Sequence, residues 1–186
     1  MAYMKLSEKP VVFMDGETSG LRHGYHELLE FAGIKGSETL VLKIKPRRIG
    51  NADPKALEVN GYNEAEWADA LYYKTAAGLI LAFLKDCVIV GHNVKFDADF
   101  ITALLREAGY HDRIDYHLID TCTLAFVVLV PMGLESLSLK NVCPFMGIPP
   151  EPTMHRALAG AMACKNVYLG LSDYIRENSG IKRDFQ

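Results

Sequence analysis

The chain has 186 residues, of which 49% are hydrophobic and 23% charged, with a formal net charge of −3. That length suffices for a substantial core, and the composition is that of a globular chain, which excludes a disordered tail or a fibre. The weak negative charge excludes a polycation that coats duplex nucleic acid through bulk charge, and no apolar run reaches the ~20 residues that span a membrane.

Residues 1–186 read as one domain with short ends at 1–8 and 178–186, without repeats, low-complexity segments or Ser/Gly linkers. The N-terminus, Met1 to Lys5, lacks the layout of a secretory signal. The run Val11–Asp15 is apolar and β-branched and predicts a buried strand. Two more strands are predicted over Glu27–Lys35, with imperfect half-buried alternation, and over Thr39–Lys45; short turns favour antiparallel neighbours. Asp53-Pro54 predicts an N-cap and a first-turn proline for a short helix over Lys55–Val59, closed by Asn60-Gly61. Apolar residues at helical spacing predict a helix over Leu71–Lys85, followed by a buried strand Val88–Gly91. A helix over Asp97–Ala108 stops at Gly109. A short strand ends at Ile119-Asp120, and helices cover Thr121–Val130, Ser138–Met146 and His155–Arg176. Early strands followed by alternating helices and strands imply an α/β fold, a mixed sheet flanked by helices.

Three segments carry chemistry. In the first, Asp15 and Glu17 stand one residue apart at the end of the first strand, so their side chains share a face. Two readings are open: a solvated acidic turn, or a pair of oxygen ligands for Mg²⁺ or Mn²⁺. In the second, His92-Asn93-Val94-Lys95-Phe96-Asp97 puts an acid just past a strand, where sites gather in open α/β sheets. Asp97 is either a helix-start acid favoured by the macrodipole or a further ligand. Phe96 is either core or a surface on which a base stacks, and Asn93 either holds its loop or meets substrate. The third is His155 at the start of the last helix, an exposed or capping residue or a general base. The basic residues Lys43, Lys45, Arg47 and Arg48 either guard an edge strand or hold a phosphate backbone. Cys87, Cys122, Cys143 and Cys164 are widely spread without a Cys-x-x-Cys pair. They read as small buried hydrophobes of a reducing, cytoplasmic protein.

Taken in order, these segments resemble the DEDDh group of 3′→5′ exonucleases, which includes the proofreading subunit of bacterial DNA polymerase III, ribonuclease T and oligoribonuclease. Asp15-Gly16-Glu17-Thr18-Ser19-Gly20 is similar to that group's Asp-x-Glu-Thr-x-Gly motif, and His92 to Asp97 to its His-Asn-x-x-Phe-Asp motif. Ala56–Gly61, Ile119-Asp120-Thr121 and Leu137-Ser138-Leu139 ahead of Gly147-Ile148 fit the same order. The resemblance implies a ribonuclease H-like, three-layer α/β/α fold with a mixed sheet of about five strands. It implies a two-metal hydrolysis at the 3′ ends of single-stranded DNA or RNA, or of short oligonucleotides, with Mg²⁺ or Mn²⁺. Carried over by position, Asp15, Glu17 and Asp97 are the metal ligands, Glu17 also serving catalysis, and His155 is the general base. Thr18, Leu21, Asn60, Asn93 and Phe96 are the substrate-binding positions. No membrane partner is implied, and both a polymerase-associated form and a homodimer stay open.

One position departs from the pattern. The group's last motif carries Asp five positions after its His; here that position is Gly160, inside an otherwise matching His-Arg-Ala-Leu-Ala-x-Ala frame. Asp173 lies thirteen residues further on, about 20 Å along a helix, too far to substitute. Glycine inside a helix costs about 1 kcal/mol relative to alanine, so packing gives no reason for it. The expectation is an exonuclease with reduced or abolished activity; the alternative is a degenerate nucleic-acid- or nucleotide-binding module of the same fold.

Overall fold

A computed structural model describes residues 5–150, 152 and 154–180. Of the short ends expected at 1–8 and 178–186, residues 1–4 and 181–186 lie outside the described residues. Five strands form one mixed sheet: β1 (Val11–Thr18), β2 (Leu28–Lys35), β3 (Glu38–Lys43), β4 (Val88–Gly91) and β5 (Leu118–Asp120). Their order is β3-β2-β1-β4-β5, with β1–β2 and β2–β3 antiparallel and β1–β4 and β4–β5 parallel. Among the described residues six α-helices accompany them: α1 (Pro54–Asn60), α2 (Tyr73–Leu84), α3 (Val94–Ala108), α4 (Thr121–Leu129), α5 (Leu139–Phe145) and α6 (Ala157–Asn178). This is the expected α/β architecture with a mixed five-stranded sheet. No helix among the described residues is long and apolar enough to cross a membrane.

The period of two in β1 sorts its side chains into two layers. Val12 and Met14 join α2 and α3 in one core, with Ala76, Ile80, Ala98 and Ile101. Phe13 points the other way, into a cluster with Ala32, Ile34, Val90 and the α6 residues Ala157, Ala161 and Cys164. A third cluster fastens α4 and α5 to α6 through Ala125, Val142, Ala163 and Val167.

Several boundaries depart from the sequence reading for local reasons. The first strand continues through Asp15, Gly16 and Glu17 to Thr18, because β2 pairs with it along that length, with a register shift between Glu17 and Thr18. β2 is not half-buried; helices cover both its faces, and every residue from Leu28 to Ile34 is buried. Helix α3 opens at Val94, because Asn93 takes a left-handed conformation with φ 58° that turns the chain out of β4. Helix α6 opens at Ala157, since Arg156 is extended, leaving His155 ahead of it. The α1 boundaries follow the sequence closely: the Asp53 side chain accepts the Lys55 N–H at 2.9 Å, and Gly61 ends the helix at φ 62°.

The loop after β3 corrects the phosphate-holding reading of the basic cluster. Arg47 and Arg48 both pair with Glu27 and Glu107, and Lys43 pairs with Glu66 at 3.3 Å while lying over the Trp67 ring. Three of the four cations are therefore neutralised within the fold. Glu27 is 8% exposed and accepts the backbone N–H groups of Arg47 and Arg48, while its own N–H donates to Ser19 Oγ at 2.8 Å. It thus ties the end of β1, the start of β2 and the post-β3 loop together. Replacing Glu27 with Ala strands those donors and is expected to lower stability by about 2–4 kcal/mol in urea unfolding. A loss under about 0.5 kcal/mol, the range of an ordinary surface change, would contradict that role.

Candidate functional site

Antiparallel pairing aligns Asp15 with Ala32 and Glu17 with Glu30, so both acids of β1 lie on the α6 side of the sheet. Gly16 between them lets a third acid close in: a Cβ there would stand 3.2 Å from Asp97 Oδ1 and 2.8 Å from Leu28 Cδ1. Asp97 is 4% exposed in the first turn of α3. Burial pushes its carboxyl up to about 8, and the charges of Glu17 and Asp120 act in the same direction; its own N–H and that of Gly16 pull the other way. Two orienting contacts hold the loop ahead of it. Asp120 Oδ1 accepts the Asn93 N–H at 2.8 Å and the Cys122 N–H at 2.9 Å, pinning the starts of α3 and α4 together. The His92 ring lies between Thr121 Oγ1 at 2.9 Å and the Leu137 carbonyl at 2.6 Å.

These groups open onto a cleft of about 640 Å³ that Asp15, Glu17, Asp97, Asn93, Phe96 and His155 all line. The three acids and the histidine, remote in sequence, thus share one cavity. Among the described residues, however, no group of three or more His, Cys, Asp or Glu side chains is gathered into a ready-made metal cage. His155 hangs on α1 through its N–H, which donates to the Val59 carbonyl at 3.1 Å. Gly160 is buried on α6, one turn ahead of Cys164. The Cys164 thiol, 3.8 Å from Thr121 Oγ1, is pushed up to about 12 by burial, with the charges of Asp15, Asp97 and Asp120 adding to it.

The positions expected to bind substrate divide. Asn93 and Phe96 line the cleft, whereas Thr18, Leu21 and Asn60 are not among its lining residues. Asn60 is 1% exposed; its amide donates to the Thr18 carbonyl at 3.0 Å, and its Oδ1 accepts the Tyr62 N–H at 3.1 Å. Thr18 Oγ1 donates to the Gly20 carbonyl, and Leu21 is 75% exposed. Asn60 and Thr18 are therefore built into the support of β1. Conversely, the cleft includes His92, Ser138 and Lys140, to none of which the sequence assigned a site role, and Cys122, expected as a buried hydrophobe but only half-buried at the cleft wall. Lys140 is the sole lysine or arginine among the lining residues, and nothing in its local sequence marks it out.

The chain matches a family model described as exonuclease over residues 12–168. Among curated proteins it is 29% identical over 178 residues to the PolC-type DNA polymerase III of Mycoplasma pneumoniae, covering 93% of this chain and 12% of that one. It is 25% identical to the DNA polymerase III subunit epsilon of Haemophilus influenzae, covering 85% and 65%. To ribonuclease T of Yersinia enterocolitica it is 27% identical, covering 87% and 83%. The chain thus spans about an eighth of the length of the PolC-type relatives. Among solved structures, E. coli exonuclease I in complex with a dT13 oligonucleotide shares the fold with a TM-score of 0.75 at 20% identity, covering 92% of this chain and 42% of that one.

Asp97 generates a pH prediction. Its folded pKa lies above the unfolded value of about 3.9, so the folded state holds the proton more tightly. The contribution is full below about pH 4 and is lost as pH rises through about 8. Without divalent ions, Asp97→Asn should gain stability relative to the parent across that window, read from urea midpoints at both ends. Parallel pH profiles for the two proteins would contradict this.

Proposed function

The chain belongs to the exonuclease family that its residues 12–168 match, and from that membership we propose that it is built to hydrolyse phosphodiester bonds at the 3′ ends of single-stranded nucleic acid with divalent metal. The observation that carries this is the convergence of Asp15, Glu17, Asp97 and His155 on one cleft. The donor set is anionic and all-oxygen, which suits Mg²⁺ or Mn²⁺. Burial of Asp97 beside Glu17 disfavours the ionised form until a cation offsets it. Asp15, Glu17 and Asp97 would hold the metal. When bound, the metal would lower the pKa of a water and neutralise charge building on the phosphodiester oxygens.

The chain's own groups do the rest. The His155 imidazole, at the cleft wall, accepts the proton of the attacking water. Phe96 offers an apolar ring to the terminal base at the cleft wall. Asn93 fixes the approach to Asp97 through its N–H bond to Asp120. The Gly16 N–H orients the Asp97 carboxylate toward β1. Lys140 supplies a positive charge facing the backbone phosphates. Single-stranded DNA is the favoured substrate class, in keeping with the oligonucleotide held by the exonuclease I neighbour and with the polymerase names of several relatives.

Gly160 favours a second reading. A glycine where the family pattern carries a carboxylate suits a chain whose chemistry is weakened, down to a module that binds a strand without cutting it. One experiment separates the two. With Mn²⁺ and a labelled single-stranded oligonucleotide, Gly160→Asp is expected to digest from the 3′ end at least about 10–100-fold faster than the parent, in line with the usual cost of lost metal support. Equal rates would show that position 160 does not complete the site. No hydrolysis by either protein, with binding retained in the absence of metal, would establish the binding module.

A further inference from the structure

Glu30 poses a problem that the site chemistry does not absorb. It lies in the middle of β2, 3% exposed, directly across the sheet from Glu17. Its Oε2 is buried without a hydrogen-bond partner. An acid so placed weakens a strand that could be apolar throughout, unless its charge holds something in register. What it faces is the segment carrying His155. The Ala157 N–H, at the first residue of α6, donates to the Glu30 carboxylate, and Arg156 Nη1 lies 3.9 Å from Glu30 Oε2.

Arg156 is itself gripped from the other side. Its Nη1 donates to the Asn60 carbonyl at 2.9 Å, its Nη2 to Glu66 Oε2 at 2.8 Å, and its guanidinium lies 5.4 Å from the centre of the Trp67 ring. His155 is bound at its own N–H by Val59. Immediately before it, Met154 packs so close to Gly61 that a Cβ there would stand 2.7 Å from the Met154 sulfur. Asn60 closes the loop by donating to the Thr18 carbonyl, one residue after Glu17. The histidine is therefore flanked on both sides by contacts that lead back to the acid-bearing end of β1.

We propose that Glu30 is a positioning residue which, through Arg156 and the Ala157 N–H, fixes the His155 segment over the end of β1. The proposal takes from the exonuclease reading only what His155 does; where His155 is held is a separate matter of structure. Glu30 touches no substrate and acts through its neighbours. A carboxylate there sets the entry of α6 by meeting both the helix's first N–H and the arginine that precedes it. A neutral amide could still accept the Ala157 N–H but would lose the charge that attracts Arg156 across 3.9 Å, and an apolar side chain would serve neither.

The test uses Glu30→Gln and Arg156→Lys in the whole chain without added metal. Peptide-resolved hydrogen exchange over residues 154–157 should quicken about tenfold or more in both variants, while exchange in β1 and β4 stays at the parent rate. Carbethoxylation of the His155 imidazole, followed by peptide mass mapping, should change in rate in both. Where the parent or its Gly160→Asp form hydrolyses oligonucleotide, kcat should fall about 10–100-fold with KM moved less than about twofold. Parent-like local exchange and parent-like His155 reactivity in the variants would overturn the proposal. So would a uniform rise in exchange across the sheet, the mark of a purely structural role. If Glu30→Gln does not fold, the partly exposed Arg156→Lys decides by the same two readouts. An inactive parent and an inactive Gly160→Asp would sink the exonuclease reading while leaving exchange and carbethoxylation to judge the clamp.

Discussion

Like charge gathered at one end of an apolar sheet governs this molecule. Asp15 and Glu17 project from the same side of β1, and Asp97 is folded down beside them, buried, with its carboxylate over a glycine. Carboxylates in such surroundings lose their hydration and, to a lesser degree, repel one another, and the cost appears as the raised pKa of Asp97. A fold keeps such an arrangement when something positive completes it. The architecture around the cleft maintains it: Gly16 permits the approach, Asn93 bends the chain out of β4, and Asp120 ties the starts of α3 and α4.

The same constraint explains why β1 is supported so heavily on its flanks. Ser19 and Glu27 exchange backbone and side-chain hydrogen bonds, Asn60 holds the Thr18 carbonyl, and Glu27 anchors two arginines of the next loop. None of these groups faces the cleft, yet each fixes the strand that carries two of its acids. Gly160 stands out against this background. It is buried in the first turns of α6, and a glycine in a helix interior offers no stabilisation there.

The parts of the fold legible in the sequence were those where one local rule acts alone. Asp53-Pro54 and Gly61 fixed α1, and the β-branched run at Val88 fixed β4. The acids of the site and its histidine were legible only as an ordered set that resembles the exonuclease motifs; each segment alone left an ordinary structural reading open. Tertiary pairing decided the rest. Nothing local says that β1 runs on through Asp15 to Thr18, because that depends on β2 as its partner. Asn60 has the look of a turn residue and a ligand-facing amide, but its long-range bond to Thr18 buries it. Glu30 did leave a signal, an acid inside an otherwise apolar strand, whose meaning depends on Arg156 and Ala157 more than a hundred positions away.

The most direct test of the central claim is a titration of Mn²⁺ into the parent chain and into Asp15→Asn and Asp97→Asn, followed by electron paramagnetic resonance of the free ion. If the clustered carboxylates exist to receive a cation, the parent removes Mn²⁺ from solution saturably and each substitution weakens that uptake about tenfold or more. Uptake by the two variants equal to that of the parent, or none by the parent at millimolar ion, would contradict the account.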